Sequence, residues 1–250
     1  IPWDFNMIFD NNTNPCMDNW QGINCTENCV SSSSTPCYIT AISLYDNHMV
    51  GTIPSEISLI STLEYLSLTY NSLMGTLPTA VGELTSLTAI HLNSNQLSGD
   101  ILSLCMSLLE LQSIQLYVNQ FSGTIPLALG TTLTKLKVLN IVKNDFNGTI
   151  PTTLGLLTGL QLVDMYDNSI SGSIPVELTG LTGLVFLELG DNLLTSSIPS
   201  GLSKLSLLSY IAWGLNTITG TLPFEIGSMT NITFIGVSYN SMEGTLPSSL

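Results

Sequence analysis

Four carboxylates are spaced so that they can act together. Asp164 and Asp167 lie three residues apart, and Glu188 and Asp191 repeat that spacing 24 residues later. Several carboxylates suit calcium, a hard cation that takes oxygen ligands, and the same group could receive a basic partner. The alternative reading is a solvated acidic face softened by Lys143. Other chemistry is thinly supplied. His48 and His91 are the two histidines, too few for metal catalysis by histidine ligands. His91 follows Ser67 by one 24-residue interval, which superficially pairs a base with a nucleophile. The pattern places no carboxylate to orient the ring and no oxyanion donors, so a solvent-facing histidine and a non-enzymatic chain are expected.

Cys16, Cys25, Cys29 and Cys37 crowd the start of the chain, while Cys105 stands alone. Their spacing lacks a C-x2-C pair and neither histidine is near, which favours disulfides in an oxidising compartment over zinc. Asn-x-Ser/Thr acceptors at Asn11, Asn24, Asn147 and Asn231 add an expectation of N-linked glycans. The two signals together point to an extracellular, secreted or cell-surface chain. With four lysines, no arginine and a net charge of -14, nucleic acid is an implausible partner and an anionic membrane surface is disfavoured. No apolar run approaches the ~20 residues of a membrane span.

These side chains are positioned by a repeat. Asn47, Asn71, Asn95, Asn119, Asn144, Asn168, Asn192, Asn216 and Asn240 recur every 24 residues, with a single 25-residue step near Thr131 and Thr132. In one turn, Leu63, Leu66 and Leu68 precede Asn71, and Leu73, Gly75, Leu77 and Pro78 follow it, before Val81, Leu84 and Leu87 close the coil. The alternation around Leu66 and Leu68 predicts a short strand with one buried face, and Pro78 predicts the start of a short helical segment. No turn can bury its leucines alone, so the turns must stack. The asparagines are read as structural, their amides bonding backbone groups of adjacent turns. Cys105, at the position of Val81, and Trp213, at that of Leu68, are read as core.

Outward strand residues then form columns across the turns. The first column reads Ser43, Ser67, His91, Gln115, Asn140, Asp164, Glu188, Ala212, Gly236; the second reads Tyr45, Thr69, Asn93, Tyr117, Val142, Tyr166, Gly190, Gly214, Ser238. The third reads Asp46, Tyr70, Ser94, Val118, Lys143, Asp167, Asp191, Leu215, Tyr239. Ligand-binding candidates on these columns are Tyr45, Tyr70, His91, Tyr117, Lys143, Asp164, Tyr166, Asp167, Glu188, Asp191 and Tyr239. The tyrosines serve as anchors for protein or carbohydrate, spread out along the face. A hydroxyl ladder, Thr52, Thr76, Thr124, Thr149, Thr221 and Thr245 with Ser173, Ser197 and Asp100, raises ice binding as a further reading.

The pattern L-x-x-L-x-L-x-x-N-x-L-x-G-x-[IL]-P runs from Ile39 to Leu250, with Gly-Thr-Ile-Pro at 51–54 and 148–151. Before it stands Cys16-Met-Asp-Asn-Trp20-Gln-Gly22-Ile23-Asn-Cys25. Both resemble the plant-type leucine-rich repeats found in plant receptor-like kinase ectodomains, polygalacturonase-inhibiting proteins and related algal or protist secreted proteins. The resemblance implies an α/β solenoid: a right-handed superhelix with a parallel concave β-sheet, short second strands and 3-10 or irregular convex segments. It also implies a Cys16–Cys25 bridge, leaving Cys29 and Cys37 as the second pair. Residues 1–38 are expected to form the stapled cap and 39–250 nine repeats without a C-terminal cap. The function implied is an interaction scaffold for a protein, peptide or glycan. A structural glycoprotein stacking on copies of itself is the alternative, because an open last turn exposes strand edges.

Overall fold

The computed structural model describes residues 15–16, 20–26 and 37–248. Every turn contributes one strand, of three residues after the five-residue Ile39–Ser43, to a ten-stranded sheet whose members include Tyr65–Ser67, Ala89–His91, Val138–Asn140, Leu162–Asp164, Phe186–Glu188, Tyr210–Ala212 and Phe234–Gly236. These strands are parallel and in register, because each turn brings the chain back along the same direction one strand spacing further on. The first member, Ile23–Cys25, is antiparallel to Ile39–Ser43. It is held by the Cys16–Cys25 disulfide. Gly22 sits at φ +82, and a Cβ there would meet the Ser43 carbonyl oxygen at 2.3 Å, which accounts for glycine in the cap motif. Cys37 is also disulfide-bonded. Cys29, expected as its partner, lies outside the described residues, as does Asn11.

The opposite wall carries the second strands, seven in one sheet from Val50–Gly51 to Leu193–Thr195 and a separate pair, Thr219–Gly220 with Ser241–Met242. After most of them a proline opens a five-residue 3-10 segment, as Pro78 does for Thr79–Glu83. Two turns depart from this. Where Leu102 replaces the proline, Asp100 caps an α-helical turn, Ile101–Cys105, by accepting the Ser103 N–H at 3.1 Å. The extra residue near Thr131 is absorbed by a second α-helical turn, Leu129–Thr132. Between the walls lies one continuous core in which leucines such as Leu66, Leu68, Leu84 and Leu87 are completely buried. Each such side chain contributes about 1.5–3 kcal/mol of burial. Cys105 and Trp213 are inside it, and burial pushes the Cys105 thiol up to about 12. Trp213 Nε1 has no acceptor among the described residues.

The asparagine ladder joins the turns. Asn71 Oδ1 accepts the Met49 N–H at 3.0 Å, and its Nδ2 donates back to Leu44 O at 2.8 Å and to Leu68 O in its own turn at 2.9 Å. The same arrangement recurs through Asn240, which accepts from Ile218 and donates to Trp213 O. Backbone groups that would otherwise be buried without partners are thereby satisfied, as expected from the repeat.

The third outward column is not part of the strands. All nine of its members, from Asp46 to Tyr239, have positive φ between 51° and 59°. They form a left-handed corner immediately before the ladder asparagine, a conformation that sequence periodicity does not announce. Even Val118, a β-branched residue, is held there.

The glycine before each hydroxyl of the Thr ladder is also left-handed, and a Cβ at Gly99, Gly148 or Gly172 would strike Cγ2 of the ladder threonine one turn earlier at 2.8–3.0 Å. Ser196 replaces this glycine at φ 68. One turn earlier the ladder residue is Ser173, which lacks the methyl that would be in the way. The two departures from the repeat compensate each other.

A candidate binding face on the ten-stranded sheet

The first outward column is built as its spacing predicts, with His91 opposite Gln115, Asn140 opposite Asp164, and Asp164 opposite Glu188. Asp164 Oδ1 accepts the Tyr166 N–H at 3.3 Å, and Glu188 Oε1 accepts the Gly190 N–H at 2.8 Å, so both carboxylates fold over the strand ends. Burial pushes the Asp164 carboxyl up to about 6, with the neighbouring Glu188 charge adding to it. Asp167 and Asp191 sit in the left-handed corners. Their charges reach Tyr166, whose phenol is raised by burial and then by Asp191, Asp167 and Glu188. Among the described residues no three His, Cys, Asp or Glu side chains come together as a metal site. The calcium site expected at Asp164, Asp167, Glu188 and Asp191 is therefore not assembled. Lys143 occupies a corner of its own and belongs to neither of the ion pairs found among the described residues, His48–Asp46 and Lys135–Glu110.

His91 is half-buried and not solvent-facing as expected. Its Nε2 lies 2.9 Å from Ser113 Oγ and its Nδ1 3.1 Å from Tyr65 Oη. Burial lowers its pKa. Ser67, the neighbour its spacing suggested, is turned to Thr69 Oγ1 at 3.3 Å. The imidazole leans back along its own strand, between Tyr65 and Ser113, which flank Ala89, and so away from Ser67. The tyrosines are also closer than expected. Tyr45 and Tyr70 meet edge to face at 5.2 Å, and burial raises the Tyr117 phenol, with Tyr70 adding to it. Asn93, in the second column, is only 3% exposed, and its Oδ1 has no partner among the described residues. Tyr239 stands apart and is 79% exposed.

The most pronounced feature of the face is a column the sequence reading passed over, one strand step upstream: Tyr65, Ala89, Ser113, Val138, Leu162, Phe186, Tyr210, Phe234. Its last five members are apolar or aromatic. The rings of Phe186, Tyr210 and Phe234 stack with centroids 4.4 and 4.6 Å apart and planes within 9° of parallel. The spacing of the strands imposes that stack. Tyr210 Oη donates to Glu188 Oε2 at 2.9 Å, and burial followed by Glu188 pushes the phenol up to about 12. The signal was available: the residue directly before each strand leucine shares a face with the residue directly after it.

The hydroxyl ladder lies on the other wall, and all nine of its positions are exposed. Asn24, Asn147 and Asn231 are exposed as well.

The family model for the Leucine Rich Repeat matches residues 62–84 and 159–181. No curated protein matches the chain. Among solved structures, the ectodomain of the Arabidopsis thaliana membrane receptor kinase GASSHO1/SCHENGEN3, crystallised with Casparian strip integrity factor 2, is 32% identical. That match has a TM-score of 0.88 and covers 96% of this chain and 28% of the receptor. The plant peptide hormone receptor RGFR1, solved in complex with RGF2, is 33% identical with a TM-score of 0.77, covering 81% of this chain and 32% of that one. A plant ice-binding protein shares the fold at 23% identity, with a TM-score of 0.76 and coverage of 97% and 84%. The chain thus spans about a third or less of the receptor ectodomains it resembles. With its repeat, its two walls and its asparagine ladder, it is a leucine-rich-repeat protein of the plant type.

Proposed function

We propose that this chain is an extracellular, non-enzymatic recognition module that binds an extended peptide across its ten-stranded sheet. The observation that carries this is the aromatic column Phe186–Tyr210–Phe234, stacked across three successive strands of the sheet. Aromatic side chains on a rigid surface make good anchors at low entropic cost. The ectodomains of GASSHO1/SCHENGEN3 and RGFR1, each solved with a partner bound, support the reading. The Cys16–Cys25 disulfide and the exposed acceptor asparagines support an extracellular setting. A displayed library of random dodecapeptides panned against the folded chain tests it. Enriched peptides should lose binding to Phe234→Ser while circular dichroism shows the variant still folded. A library that yields no binder would overturn the proposal.

A second reading, ice binding, rests on one observation: the ladder from Thr52 to Thr245 places an exposed residue on every turn, in most turns a hydroxyl. The threonine methyls pack on the next glycine, which fixes their rotamers and spacing. Inhibition of ice recrystallisation at micromolar protein would support it, and ordinary ice growth would dismiss it.

A further inference from the structure

We infer that the ligand of this face is an extended peptide in which apolar and basic residues alternate, lying across the strands from Val138 to Phe234. The inference rests on the peptide-recognition reading above and narrows it.

Two columns of opposite character run side by side there. Val138, Leu162, Phe186, Tyr210 and Phe234 form the apolar one, and in the same strands Asp164 and Glu188 stand two residues further on. Residues two apart in a strand lie ~6.8 Å apart on the same face, and neighbouring strands ~4.8 Å apart. The acidic column thus borders the apolar one at about the width of a single extended backbone. Such a backbone, running perpendicular to the strands between the columns, sends successive side chains left and right. Five strands span ~19 Å, the length of about six extended residues, so about three side chains reach each column.

The chemistry of each side follows. On the left, ring edges and aliphatic groups take leucine, valine or phenylalanine. On the right, Asp164 and Glu188 face each other across adjacent strands as like charges with no lysine paired to them, and Asp167 and Asp191 add negative charge at the corners just beyond. Like charges opposed across strands are unfavourable until a cation enters. A lysine or arginine of the ligand would sit among them, with the Tyr166 ring beside it for cation–π contact. A second copy of this chain does not fit, because it brings four lysines, no arginine and a net charge of -14.

The probe is a blocked, dye-labelled octapeptide of alternating leucine and lysine, read by fluorescence anisotropy. It should bind at least tenfold tighter than alternating leucine and glutamate. It should also bind tighter than a block peptide of identical composition, with all its leucines first and all its lysines after them. Glu188→Gln combined with Asp164→Asn, and separately Phe234→Ser, should each weaken it about tenfold, whereas Tyr45→Ser at the far end should not. Circular dichroism confirms that each variant is folded. Equal binding of the lysine and glutamate peptides, or wild-type affinity in the folded variants, overturns the inference. Library panning separates its failure from that of the broader reading: enriched peptides of another pattern sink only the alternating ligand, whereas an empty library sinks both.

Discussion

Tyr210 stands between two phenylalanine rings and donates its hydroxyl to Glu188 Oε2 at 2.9 Å, which couples the aromatic column to the acidic one within neighbouring strands. The ring is held by its neighbours, and the carboxylate is held by the ring. Tyr210→Phe keeps the stack and removes the donor. A hydrogen bond to a charged, partly exposed carboxylate is worth about 1 kcal/mol net. Urea denaturation should show a loss of about that size, and Tyr210→Ser should lose about 1 kcal/mol more with the stacking. Equal stabilities for wild type and Tyr210→Phe would show that the bond contributes nothing.

Asp164 makes stability depend on pH in a definite sense. Its folded pKa of about 6 lies above the ordinary 3.8, so the native state holds the proton more tightly than the unfolded chain. Its contribution is full below about pH 4 and is lost as the pH rises through about 6. Asp164→Asn keeps an oxygen for the Tyr166 N–H and removes the charge. The variant should resist denaturant better than wild type at about pH 7.5, with the advantage vanishing at about pH 4. An advantage that persists in acid would assign the effect to something other than ionisation.

Asn192 accepts from Ile170 N at 2.9 Å and donates to Met165 O at 2.9 Å and Leu189 O at 3.3 Å, all buried. Asn192→Ala strands these groups and should cost about 3 kcal/mol, since each orphaned buried group costs ~1–3 kcal/mol. Hydrogen exchange should locate the damage in the turns on either side of Asn192, as nearest-neighbour coupling requires. Uniform loss of protection along the whole chain would contradict that localisation.

Ser173 and Ser196 offer a coupled pair. Ser173→Thr alone should destabilise, because its new methyl meets the Ser196 Cβ where other turns have only a glycine hydrogen. Ser196→Gly alone should stabilise by about 1 kcal/mol by relieving the left-handed φ of 68°. In the Ser196→Gly background, Ser173→Thr should become neutral. A double-mutant cycle with no coupling energy would refute the packing account.

The solenoid was legible because its determinants are periodic. Leu66, Leu68 and Asn71 have the same partners in every turn, so nine copies of one pattern specify them. The face was less legible, because it depends on where side chains lean once the strands are stacked. His91 bonds Tyr65 and Ser113 and not Ser67, and Tyr45 meets Tyr70 edge to face, through rotamers and a left-handed corner that spacing does not encode. The aromatic column was missed for a simpler reason. It lies just before the paired leucines, and the identity of Phe186, Tyr210 and Phe234 becomes informative only when strand register lines them up.

The asparagine ladder also has a direction in time. Asn71 satisfies Leu44 and Met49 of the preceding turn, Asn95 satisfies Leu68 and Leu73, and so on along the chain. Each amide serves its own turn as well, but the bonds that complete the preceding turn arrive only with it. On a ribosome, each coil therefore waits for about 24 more residues to emerge before it can close. The nascent solenoid would then carry one unfinished coil at its growing tip, always the newest, while everything behind it is already sealed.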